Sequence, residues 1–266
     1  MSYFLRPVIS IGILFIFSAN VSVYAQSNRE KLIQAMAQLD DASNKRIYDQ
    51  VLSARDIFQE IISEDDSLAV WAHYYAGAAS SSMANLIYEK TVDLGRRELA
   101  SQINMGIKHL EAAVEIDPTF ADAWVLLATS YAHKMIVRPL KFIGLRRNYY
   151  HALEKALDLE PNNPRVVILK AIMDYTLPAI AGGDKNRAEE EFKRALTILS
   201  EETISHPYLP KWGLDIAHAR LGLIYMERGD LLSARESFEQ AILANPDYAW
   251  VREDLIPSLE KLESES

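Results

Sequence analysis

Six histidines, His73, His109, His133, His151, His206 and His218, are the first residues to test for chemistry. A helical zinc site of the HExxH kind needs two imidazoles four residues apart, and no two of these stand at that spacing. The chain has no GxSxG elbow, no GxxxxGK phosphate loop and no cysteine, which removes the usual serine, phosphoryl and thiol chemistries. One glycine-rich loop precedes a helix, AGGDKNRAEE at 181–190. It could seat an anion on the helix N-terminus, but the helical pattern puts it at a turn between paired helices, where it serves as structure. No catalytic residue, metal ligand or cofactor site is expected.

The most unusual composition is basic. From Ala123 to Leu153 there is no acidic residue, while Lys134, Arg138, Lys141, Arg146 and Arg147 stand among Phe142, Tyr149 and Tyr150. Such a cluster could dock an acidic peptide, a carboxylate ligand or a phospholipid headgroup. The plainer alternative is a solvated loop whose cations suit a helix C-terminus. The chain as a whole is acidic, with a formal net charge of -9 and a pI near 5.2. That balance excludes a nucleic-acid binder, which needs basic surface to displace counterions from phosphates, and it repels anionic membranes.

The N-terminus has the pattern of an export leader. Arg6 is its lone charge, Val8 to Phe17 is almost unbroken apolar sequence, and Val23-Tyr24-Ala25 offers small residues before a cut after Ala25. A retained anchor is the alternative, but the apolar run is shorter than the ~20 residues a span needs. Removal of 1–25 takes away Arg6 alone and leaves a net charge of -10. Without cysteines the exported product has neither disulfides nor a lipid anchor, so the expectation is a periplasmic protein of a Gram-negative bacterium with no stable membrane insertion.

The remaining sequence, 26–266, repeats. LEAAVEIDP ends at Pro118, LEKALDLEP at Pro161 and FEQAILANP at Pro246; in each an Ala lies five residues before the Pro, and a Leu or Phe three before that. The pairs are Leu110/Ala113, Leu153/Ala156 and Phe238/Ala241, and two further copies without the Pro are Phe58/Ile61 and Phe192/Ala195. Each Pro stands where it stops one helix and can open the next. Upstream, WVLLATSY sets Trp124 and Tyr131 on one helical face, and LGLIY carries Leu221, Gly222 and Tyr225 at related positions.

This pattern resembles the tetratricopeptide repeat, a helix pair of about 34 residues. The match is tightest over 215–248, through Leu221, Gly222, Tyr225, Ala234, Phe238, Ala241 and Pro246, with other units near 28–66, 67–118, 119–161 and 164–200. Gly222 and Ala234 are small, on this reading, because the two helices cross closely there, while Tyr225 and Phe238 fill the space between one pair and the next. The five anchors lie 52, 43, 39 and 46 residues apart, so every unit carries an insertion; the main ones are 79–101, 133–150 and 200–213. The whole is similar to exported bacterial tetratricopeptide proteins with extended, irregular repeats.

The resemblance implies an all-α, right-handed superhelical solenoid of about five helix pairs plus a terminal capping helix. It also implies a non-catalytic scaffold or adaptor that binds a protein or peptide on the wall made by the first helix of each pair. Register places Asp122, Thr129, His133, Lys170, Met173, Ile216, Leu223 and Met226 on that wall. Of the carboxylate clamp that some relatives carry, only Lys170 and Arg220 find counterparts. The basic insert is a second candidate contact. The alternative function is a periplasmic small-ligand-binding or transporter-associated protein of the same fold.

Overall fold

A computed structural model describes the backbone of residues 10–265 and, with the exception of Ala181, the side chains from residue 27 onward. The expected leader, 1–25, lies outside the described side chains, and its removal stays an expectation. Eleven α-helices and no strand are found among the described residues. They are α1 (Ser10–Asn44), α2 (Tyr48–Glu64), α3 (Ala69–Tyr88), α4 (Gly95–Ile116), α5 (Ala121–Val137), α6 (Phe142–Leu159), α7 (Pro164–Thr176), α8 (Lys185–Glu201), α9 (Leu214–Glu227), α10 (Leu231–Ala244) and α11 (Ile256–Glu265). A π-helical turn, Trp250–Leu255, leads into α11. Each helix packs on its neighbours in the chain, and the first helices α1, α3, α5 and α7 also touch in series. This is the layered contact pattern of a solenoid. Helix α1 runs back through the expected cleavage point to Ser10, since no proline or glycine interrupts it after Gly12.

The anchors sit where their spacing predicts. Phe58, Ile61, Leu110, Ala113, Ala156, Phe192, Ala195, Phe238 and Ala241 are fully buried, and Leu153 nearly so. Burying a side chain as large as Phe or Leu is worth about 1.5–3 kcal/mol, so these positions carry much of the stack. The ends of the second helices also share one geometry. Asp117, Glu160 and Asn245 leave the helix in an extended conformation, because a following proline disfavours the helical region for the residue before it. Their amides still donate to the carbonyls of the anchor alanines Ala113, Ala156 and Ala241. Asp65 does the same to Ile61 without a proline. Glu202, after α8, does not follow this pattern, and there the chain departs into the long connection 202–213.

What presses into Gly222 is a side chain. A Cβ placed there would meet Phe238 Cε1 at 2.3 Å, so the ring lies flat against the backbone of α9. Phe238 thus fills space within its own pair as well as facing Val251 and Leu255, which corrects the expectation that it only spans between pairs. Tyr225 does span, its hydroxyl donating to Glu189 of the preceding pair at 3.2 Å. The same contact recurs in the second unit, where a Cβ on Gly77 would meet Leu110 Cγ at 2.6 Å. Around it the small run of α3 reaches its neighbours by hydroxyl contacts, Ser82 to Ser43 of α1 at 2.8 Å and Ser81 to Ser130 of α5 at 3.2 Å.

Three core clusters follow one another along the stack: a large one from α1 to the start of α7, one over α7 to α9, and one over α9 to α11. Trp212 packs against both the first and the second, and Tyr225 against both the second and the third. The Gly222 contact gives a direct test. Gly222→Ala should cost about 1–3 kcal/mol through overpacking. In urea unfolding the loss should be partly recovered by Phe238→Leu in the same chain, because the two sites share one contact; additive losses would mean that the ring does not lie on the glycine.

Candidate functional site

The inner wall is formed by the first helices, and a single buried cation divides it. Arg165, just inside the start of α7 after the Asn163 cap and Pro164, is 2 % exposed. Its guanidinium binds the Glu202 carboxylate, with Nη2 3.0 Å from Oε2, and donates to the Pro210 carbonyl at 2.8 Å. These bonds draw the connection 202–213 across the first turns of α3, α5 and α7. The Tyr75 hydroxyl donates to the Tyr208 carbonyl at 2.8 Å, and Trp212 Nε1 donates to the Tyr74 hydroxyl at 3.2 Å. Trp71 stacks on His206 with ring centroids 5.0 Å apart. The insert expected between units is therefore an ordered strap, and it covers part of the wall on which a partner was expected.

Asp122 is the residue most affected. Register placed it on the exposed wall; the structure buries it to 5 % beneath the strap, 4.0 Å from Arg165 Nε, with Asn163 Nδ2 donating to it at 3.3 Å. Burial raises its pKa from 3.8 to about 6, against the opposing pull of Arg165 and the Asn163 bond. It is no contact for a partner. Other wall positions are also engaged. Lys170 pairs with Glu191 of α8 at 2.5 Å, Met173 accepts from the Tyr149 hydroxyl at 2.8 Å, and Thr129 bonds back to the Val125 carbonyl at 3.0 Å. Trp124 and Tyr131 act as repeat residues: Trp124 Nε1 donates to the Pro118 carbonyl at 2.9 Å, and buried Tyr131 donates to Glu111 at 2.6 Å.

What remains open lies beyond the strap. The stack curls far enough that its first turn meets its last helix: Arg46, between α1 and α2, pairs with Asp254, lies 3.5 Å from Glu89 and 3.7 Å from Glu253, and Lys45 is 3.5 Å from Asp247. On the inner side of this closure Arg220 of α9 stacks over Trp250, 4.8 Å from the ring centroid. Its Nε is buried and has no hydrogen-bond partner among the described residues. Its charge is felt by groups from four other elements. It helps to lower His133 of α5, which burial already depresses; it opposes the upward shift that burial gives Glu89 at the end of α3; and it offsets that of Tyr175 in α7 and of Tyr248 before the π turn. Arg220 is thus the cation common to these groups. Of the expected wall residues, only His133 belongs to this group. Arg165 was missed, although a lone arginine inside the apolar run PRVVILKAI is the kind of residue that marks a buried pair.

The basic insert is a separate surface at the edge of the stack. Its loop is only a 3-10 turn, Pro139–Lys141, between α5 and α6. Leu140 and Ile143 are almost wholly exposed, and Arg138, Lys141, Arg146 and Arg147 are exposed beside them. Lys134 is half-buried, its pKa lowered first by burial and further by Lys141 and Arg138, against the pull of Glu111. The glycine-rich loop before α8 is the structural turn that the sequence suggests: Asp184 caps the helix, accepting from the amides of Asn186 and Arg187 at 2.9 and 3.2 Å.

The strap has a pH signature. Because Asp122 binds its proton more tightly folded than unfolded, folding takes up a proton between about pH 4 and 6. Stability from this group is greatest below the unfolded value of 3.8 and falls as pH rises to about 6. The slope is at most about 1.4 kcal/mol per pH unit. In urea unfolding across that range Asp122→Asn should remove this fall; an unchanged pH profile would show that Asp122 is not buried beneath the strap.

Comparisons with known proteins agree with this architecture. Residues 216–248 match the family model described as Tetratricopeptide repeat. No curated protein matches the chain in sequence. Among solved structures, the HusA haemophore from Porphyromonas gingivalis is similar at 21% identity with a TM-score of 0.60, over 75% of this chain and 93% of that one. TTC0263, a thermophilic TPR protein of Thermus thermophilus, is similar at 15% identity with a TM-score of 0.57, over 89% of this chain and 97% of that one. At these identities the likeness speaks to the fold alone. With five buried anchor pairs and a matched tetratricopeptide repeat at 216–248, the described residues form an all-α solenoid of five helix pairs closed by a terminal helix, the architecture of tetratricopeptide-repeat proteins.

Proposed function

We propose that the protein is an exported, non-catalytic scaffold that holds a carboxylate-bearing peptide or protein segment on its inner wall. The observation that supports this reading is Arg220: a guanidinium over an indole, with a buried Nε lacking a partner among the described residues, whose charge is felt at His133, Glu89 and Tyr248. A planar cation of this kind pairs with a carboxylate through two parallel hydrogen bonds. The strap restricts the partner to the part of the wall near α9 and α11, so a chain end or a short acidic segment fits better than a long peptide laid along all five units. Export rests on the leader pattern of residues 1–25. The basic insert faces away as a second contact.

A second reading has one observation in its favour. The contacts of Arg46 and Lys45 with the last helix turn the groove into a bounded space, and a neighbour in fold is named as a haemophore. A small anionic molecule held at Arg220 would use the same chemistry. Panning a peptide library on the protein separates the two. On the scaffold reading, selected peptides carry a carboxylate at a fixed position, and Arg220→Gln weakens them about tenfold or more with unchanged melting. Peptides that bind the Gln variant equally well would remove Arg220 from the site. Failure to select any peptide, with haem absorbance shifted by the parent and not by the variant, would favour the small ligand.

A further inference from the structure

The turn between α5 and α6 presents apolar and basic side chains together, and neither set has a task in the fold. Leu140 and Ile143 are almost wholly exposed, and Phe142 and Ile136 about half so. Large apolar side chains grouped on a surface mark a contact with something apolar. Among the described residues Arg138, Lys141, Arg146 and Arg147 form no ion pair; Arg146 lies over the Tyr150 ring, 4.9 Å from its centroid. The absence of any acidic residue from Ala123 to Leu153 leaves this charge uncompensated along the chain.

Helix electrostatics do not account for the cations. Lys134 and Arg138 answer the negative end of α5, but Lys141 stands at the positive end of α6, with Arg146 and Arg147 one turn further on. A cation there is disfavoured by the helix dipole. Residues that go against the local rule of the fold point to an external partner. That partner must be apolar beneath and anionic above, over a distance short enough for one turn to meet both. A bilayer surface with acidic headgroups has this layering; an acidic peptide supplies the charge without an apolar bed for Leu140, Phe142 and Ile143.

We infer that the α5–α6 turn is a docking surface for an anionic lipid bilayer, with Leu140 and Ile143 entering the headgroup region while Arg138, Lys141, Arg146 and Arg147 pair with lipid phosphates. This site is independent of the inner wall and of any ligand at Arg220. The net charge of -9 does not oppose it, because screening over about 8–10 Å lets a local cluster act without the distant acidic surface. Docking of this kind is peripheral, and among the described residues no helix is long and apolar enough to cross a membrane.

The lack of cysteine makes the test direct. An environment-sensitive fluorophore is attached to Leu140→Cys in the full chain, and to Glu239→Cys on the exposed face of α10 as reference. Each is mixed with vesicles of phosphatidylglycerol and phosphatidylcholine, or of phosphatidylcholine alone. A blue shift at 140 with the acidic vesicles only, none at 239, and loss of the shift at about 1 M salt are expected. Arg146→Ser with Arg147→Ser should weaken the response roughly tenfold or more. The label reads its own surroundings, so binding through the N-terminal apolar run cannot mimic the result. No shift at 140 with acidic vesicles, or an equal shift with neutral ones, overturns the inference. A shift produced by polyglutamate and not by vesicles also overturns it, assigning the turn to an acidic protein.

Discussion

The contact of Phe238 with Gly222, repeated as Leu110 against Gly77, sets the distance between the two helices of a pair, and the shape of the stack follows from it. A large side chain on the second helix lies on bare backbone of the first, so the pair closes tightly on that side. Its outer faces stay apolar, and the next pair must cover them. That requirement explains the burial of all the anchors, and the turn to polar character at α11, whose residues 262–265 are exposed. With longer helices than a plain repeat has, the stack curls until Arg46 of the first turn reaches Asp254 of the π turn before the last helix. The inner wall becomes a bounded space because of packing far from it.

The repeat breaks once, and the break shapes the candidate site. After α8 no proline forces the chain into the next helix, and Glu202 takes a conformation unlike that of the other terminators. The freed connection lies over the wall and is held by Arg165, a buried cation with Glu202, a carbonyl and the nearby Asp122 to compensate it. Buried charge of this kind adds little stability compared with an apolar replacement, but losing one partner leaves the others uncompensated. Its effect is positional: it fixes which part of the wall is covered.

The sequence made the helices and anchors readable because both are local. The Ala five residues before each Pro, the Phe or Leu before it and the small residue opposite are all decided within one helix pair, and the anchors that this spacing names are buried. The strap could not be read in the same way. Tyr75 and Tyr208, or Tyr74 and Trp212, are more than a hundred residues apart, and nothing in either segment names the other. Helical register names a face for Asp122; it carries no information about what covers that face. Arg220 was visible as a possible clamp residue, whereas its backing by Trp250 depends on the π turn and on the way the last helix closes the stack.

Charge shows the same division between what is summed and what is local. The composition describes an acidic protein, and over the length of a solenoid that description is an average of surfaces that do not see one another through salt water. Within the stack, several acidic and basic groups are matched: Glu189 meets Lys193 and Arg228, Glu227 meets Lys185, Asp174 meets Arg187. Each of these joins either two turns of a helix or neighbouring helices, so it belongs to the fold. Arg220 and the cations of the α5–α6 turn are among the cations outside such pairs, and they differ from each other. One is half-buried, with its guanidinium over an aromatic ring; the others are exposed beside large apolar side chains. One guanidinium against a ring has the chemistry to pair with a single carboxylate, whereas a projecting turn with several exposed cations has the chemistry of an extended anionic surface.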